Sequence, residues 1–104
     1  MDKLINELVK VNKNIVFVNI SGNAVAMPWV KEVPGIVQGW FLGTEAGTAL
    51  ANVLVGDVNP SGKLSFTFPV KLNDNGAHAL GEFPGGDDVK YNEGIFVGYR
   101  WADK

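Results

Sequence analysis

The chain has no cysteine and a single histidine among its 104 residues. That excludes a disulfide framework and a thiolate metal site, and His78 has no second imidazole with which to hold a transition metal. Charged residues make up only 19% of the sequence and sum to −2, so there is no field for gripping polyphosphate, and nucleic acid is not an expected partner. No apolar run approaches the ~20 residues that cross a bilayer, so no membrane partner is expected either. The opening Met1-Asp2-Lys3-Leu4 has neither the basic stretch nor the apolar core of a signal peptide, and the compartment stays open. What is present is 46% hydrophobic and 11% aromatic. This is the composition of one globular domain at most, long enough to bury roughly two-thirds of its unfolded surface.

From Asp2 to Val11 the apolar residues Leu4, Ile5, Leu8 and Val9 recur at helical spacing, which predicts a helix. Asn12-Lys13-Asn14 breaks that pattern, and Ile15 to Ile20 follows as a nearly continuous β-branched and aromatic run. Strands apolar on both faces belong inside helix-covered parallel sheets. A second such run, Ile36 to Phe41, comes after Pro34-Gly35, with an irregular piece carrying Met27, Pro28 and Trp29 in between. It leads through Leu42-Gly43-Thr44-Glu45 into a helix over Ala46 to Val55, with Thr44 the expected cap and Gly56 the expected left-handed terminator. Lys63 to Phe68 alternates, Leu64, Phe66 and Phe68 against Ser65 and Thr67, and predicts a strand with one buried face. Strand, helix and strand in this order favour a right-handed parallel crossover. Val70 to Lys90 is rich in Gly, Asp and Asn and reads as an extended loop, before Ile95 to Tyr99 recovers strand character. Two helices are too few to cover both faces of such strands, so the inventory is that of part of a domain.

Few side chains suggest chemistry. Glu45 opens a helix at the carboxyl end of a strand, where open parallel sheets keep their ligands, although an acid there also complements the helix dipole. Gly39, Gly43 and Gly47 are evenly spaced and match neither the dinucleotide fingerprint nor a P-loop, so close packing accounts for them. Lys71 to Glu82 has part of a calcium-loop spacing, but Lys71 occupies the first ligand position, and a turn is the better reading. Ser21 and Ser61 sit in Ser-Gly turns without a nucleophile-elbow setting. Asn19-Ile20-Ser21 is formally a glycosylation acceptor placed at a buried strand end. Among the three tryptophans, Trp40 and Trp29 suit a core, and Trp101 is the more open candidate for a sugar platform.

Asn19-Ile20-Ser21-Gly22-Asn23-Ala24-Val25-Ala26-Met27-Pro28-Trp29 and Gly39-Trp40-Phe41-Leu42-Gly43-Thr44-Glu45-Ala46-Gly47-Thr48-Ala49-Leu50-Ala51, taken together, resemble the C-terminal sandwich domain of glycoside hydrolase family 3. Leu54 to Pro69, with Gly56-Asp57-Val58-Asn59-Pro60-Ser61-Gly62-Lys63-Leu64 at its centre, is the most specific of the matching passages. Tyr91 to Arg100 is similar to the segment that leaves this domain in β-glucosidase-like members.

The resemblance implies a retaining, exo-acting hydrolase that releases β-linked glucose or xylose. A TIM-barrel domain gives an Asp nucleophile and the sandwich domain a Glu acid/base, and neither motif lies in this chain. No catalytic residue, cofactor-binding residue or metal ligand is therefore assigned, and no cofactor is expected.

The expected fold is α/β, a mostly parallel sheet flanked by helices as part of a three-layer sandwich, with a long irregular C-terminal segment. Residues 1–69 form the second half of the sandwich domain and residues 70–104 its extended loop and exit strand. The expected partners are the remainder of the same enzyme, barrel and first half-sandwich, and an oligosaccharide or aryl glycoside substrate. Trp40, Gly43, Thr44 and Glu45 are the cleft-facing candidates. The rival readings are a stand-alone carbohydrate-binding module and a structural partner module.

Overall fold

The first ten-residue helix shows how little of the sequence finds cover. The computed structural model describes all 104 residues, and α1 (Asp2–Val11) is strongly amphipathic. Its Ile5 and Val9 are buried, whereas Leu4 and Leu8 remain exposed. One face therefore has a partner. That partner is the chain between two short strands, β1 (Val16–Asn19) and β2 (Gly35–Gln38), which run parallel with Val16 opposite Gly35 and Asn19 opposite Gln38. Parallel neighbours need a long connection, and here it is an irregular segment instead of a helix. It carries Met27, Trp29 and Val33, which close with Ile5 and Val9 into the buried cluster. Phe17 and Ile36 from the strands pack against it, with Phe17 edge-on to Trp29 at 4.6 Å between ring centroids. The Trp29 indole N–H donates to Asp2 Oδ1 at 3.1 Å, which ties this connection to the start of α1.

The second helix, α2 (Ala46–Val55), contains no charged residue, and none of its side chains is buried. It ends as expected at Gly56, whose φ of 89° is open to glycine and costly for other residues. At its start the expected cap is replaced. Glu45 stands at the N-cap without a side-chain hydrogen bond, and Ala46 N–H donates to Gly43 O at 3.3 Å, so Thr44 does not cap.

Two expected strands do not form. The backbone of residues 63–68 makes no hydrogen bond to other backbone groups, because no neighbouring strand lies beside it and a strand exists only through its ladder. Its alternation is real all the same, since Phe66 and Phe68 stack on the same side at 5.7 Å. Ile95 to Tyr99 is broken by Gly94 and Gly98 at φ 59° and 62°, with turns closed from Gly94 N to Tyr91 O and from Phe96 N to Glu93 O. Between these stretches lie a 3₁₀ turn (Leu72–Asp74) and α3 (Gly76–Ala79), capped by Asn75 Oδ1 on Ala77 N–H. After them comes α4 (Tyr99–Ala102). The C-terminal third is thus mostly irregular, and it is joined to the connection before β2 by Met27 N–H donating to Pro69 O at 3.0 Å. The fold is α/β with a parallel two-stranded sheet and flanking helices. No helix is long and apolar enough to cross a membrane.

Candidate functional site

Both strands end at polar residues, and these residues bond to each other. Asn19, 6% exposed, donates from Nδ2 to Gln38 Oε1 at 2.6 Å and to Ser21 Oγ at 2.7 Å. Gln38 Nε2 donates back to Ser21 O at 2.9 Å, and Ser21 Oγ donates to Asn23 O at 2.8 Å. Gly39 N–H adds a backbone bond to Asn19 O at 2.8 Å. The two loops that leave the carboxyl edge of the sheet are therefore fastened at their roots. The same geometry occupies the amide of the formal glycosylation acceptor.

Past Gly39 the chain takes an uncommon step. Trp40 has φ 52°, and it is the only non-glycine residue with a positive φ. Such a conformation costs an L-residue on the order of 1–2 kcal/mol and persists only where the surroundings over-determine it. Trp40 is half-buried against Phe66, edge-on at 5.1 Å, and Phe68 at 6.0 Å. That packing carries its ring inward and turns the next residue outward. Phe41, which the sequence places at the end of a buried strand, is 83% exposed, because β2 stops at Gln38. Gly43, at φ 74°, then turns the chain into α2.

The four cleft-facing candidates thus share one turn, but they are not alike. The side chain of Trp40 belongs to an aromatic cluster, while Gly43, Thr44 and Glu45 are exposed. Glu45 sits at the positive end of α2; its carbonyl accepts from Ala49 N–H at 2.9 Å, and its carboxylate makes no hydrogen bond to the chain.

Elsewhere, His78 packs on Phe83 at 4.7 Å, and no group of three or more metal-ligating side chains gathers anywhere. Asp74 accepts from Lys71 N–H at 3.0 Å within the former calcium-loop candidate, as a turn does. Trp29 is buried as a core residue, and Trp101 is half-buried, with Gly76 against its ring and Lys104 Nζ 5.4 Å from its centroid. The exposed aromatic at this edge is Phe41. The sequence holds one signal for it, the flanking Gly39 and Gly43, which mark the end of a strand as readily as close packing.

A fastened and largely uncharged edge with one free carboxylate can hold or shape a ligand. It lacks the paired groups needed for nucleophilic or acid–base work. Comparison with known proteins gives this edge its context. The family described as Glycosyl hydrolase family 3 C-terminal domain matches residues 1–99.

The chain belongs to that family.

A beta-glucosidase of Bacteroides ovatus is 59% identical over 106 residues, covering 98% of this chain and 14% of that protein. The thermostable beta-glucosidase B of Acetivibrio thermocellus is 48% identical over 103 residues, with 98% and 13% covered. The crystal structure of a beta-glucosidase from Kluyveromyces marxianus in complex with glucose superposes with a TM-score of 0.84 at 46% identity, over 96% of this chain and 12% of that one. The chain spans about one-seventh or less of the length of these relatives. All the motifs that carried the resemblance, from Asn19 onward, fall within the matched family region except the final Arg100.

Proposed function

We propose that this chain is the second half of the C-terminal sandwich domain of a retaining, exo-acting glycoside hydrolase that releases β-linked glucose or xylose from oligosaccharides. In this reading residues 1–69 supply the half-sandwich and residues 70–104 its loop and exit segment, and the remainder of the same enzyme supplies the barrel and the first half-sandwich. Trp40, Gly43, Thr44 and Glu45 brace the substrate cleft, and neither nucleophile nor acid/base lies on this chain.

The observation that carries the proposal is the likeness to beta-glucosidases over nearly the whole chain but only 12–14% of their length. Physical chemistry supports the division of labour. Retaining hydrolysis needs two carboxyl groups about 5–5.5 Å apart across one glycosidic bond, and the carboxyl edge of this sheet offers a single free acid, Glu45. The uncovered face of α2 is a feature that a further layer of polypeptide would satisfy.

The test is Glu45→Gln in the full-length enzyme. Turnover of an aryl β-glucoside within a few-fold of the unsubstituted enzyme is expected, because the amide keeps the shape of the turn. Complete loss of turnover with fold and substrate affinity intact would make Glu45 the proton donor and refute the proposal.

A further inference from the structure

Phe41 is exposed, and the backbone that presents it is fixed by its neighbours. It is the most exposed aromatic residue of the chain, at 83%. It follows the one non-glycine residue held at positive φ, and that residue is fixed in turn by Phe66 and Phe68. The ring reaches across to the loop that leaves β1. A Cβ placed on Gly22 would stand 2.6 Å from Phe41 Cε2 and 2.9 Å from Cζ, so the ring lies against Gly22 and any side chain there would push it aside. Both loops are rooted in the Asn19–Ser21–Gln38 cluster. Other exposed apolar side chains, such as Val11 and Val55, sit on helices with no such support. Strain of this kind, held by its surroundings, marks a position set for use. The carboxyl edge of a parallel sheet is where ligands of such sheets lie.

We propose that Phe41 is a specificity-determining residue that stacks on the leaving group of the glycoside, an inference that rests on the function proposed above. A ring without polar neighbours cannot fix a particular hydroxyl. It selects by offering a flat apolar face, which a pyranose or an aryl group matches and a small leaving group does not. That suits the leaving-group side of an exo-acting enzyme, where variable groups must be accepted, better than the subsite of the released sugar.

The experiment compares an aryl β-glucoside with β-glucosyl fluoride, whose leaving group is too small to stack, in the full-length enzyme. Phe41→Leu keeps apolar bulk and removes the aromatic face. It should shift the ratio of kcat/KM for the two substrates about five- to tenfold against the aryl glucoside, chiefly through KM, as loss of one aromatic contact implies. Phe41→Tyr should restore the ratio. Gly22→Ala, which displaces the ring without removing it and asks nothing unusual of the backbone, should shift the ratio in the same direction. Equal losses on both substrates would show that the ring packs against another part of the enzyme, and an unchanged ratio would show that it touches no substrate. Either result overturns the assignment and leaves the proposed function standing. Failure of the unsubstituted enzyme to cleave both substrates would instead remove the proposed function, and the assignment with it.

Discussion

Trp29 is the side chain on which the small core depends. It is 2% exposed, stands edge-on to Phe17 and donates its indole N–H to Asp2, so it joins α1, β1 and the connection between the strands. Trp29→Ala in the full-length enzyme should cost about 3–5 kcal/mol, the range for deleting a buried aromatic ring, whereas Trp29→Phe should cost about 1–2 kcal/mol for the lost hydrogen bond and part of the volume. Denaturant titration followed by tryptophan fluorescence or circular dichroism checks both, and equal costs for the two variants would remove the ring from its central place. Composition and context mark Trp29 as a core residue in the sequence. They cannot expose Phe41, because a run of apolar residues looks the same whether the strand ends three residues earlier or not. What ends it is the positive φ of Trp40, a tertiary effect of Phe66 and Phe68 that no local pattern records.

At the scale of elements, both long helices and both paired strands are legible from periodicity and turn residues, and their ends differ from the expected ones by only a few positions. Lys63 to Phe68 and Ile95 to Tyr99 look like strands in the sequence for a sound but insufficient reason. Alternation and β-branching say which way side chains point, while a strand needs a neighbour to bond. Thr44 has the chemistry of a cap but not the position, because its neighbour Glu45 takes the place at the helix start, bonding to it through the carbonyl and not the side chain. Helix α2 is the element whose context is most telling. Its sequence is apolar on nearly every side, yet Leu54 is 47% exposed. Burial in this chain alone would make Leu54→Ala cost about 1 kcal/mol, in proportion to the apolar area covered. If a further layer covers α2 in the full-length enzyme, the same substitution should cost about 2–5 kcal/mol, the range for a buried leucine. Thermal unfolding of the full-length variant decides between these values.

The molecule as a whole has more surface than its mass explains. Its accessible area is 7941 Å², whereas a folded monomer of 11.2 kDa shows about 5,700 Å². Its radius of gyration is 16.6 Å, against about 13 Å for a compact domain of this length. The 36 backbone hydrogen bonds are about half the ~70 that 104 residues ordinarily make. These three deficits have one physical origin, a two-stranded sheet and two helices whose outer faces have nothing to lie on. Under the proposed function, the polypeptide that covers those faces is the rest of a glycoside hydrolase, with which the chain shares one substrate cleft.

The most direct measurement is hydrolysis of an aryl β-glucoside by three samples: this chain, the remainder of the full-length enzyme, and an equimolar mixture of the two. Turnover is expected in the mixture alone. Cleavage by the 104-residue chain unaided, or full activity of the remainder without it, would contradict the proposed division of labour.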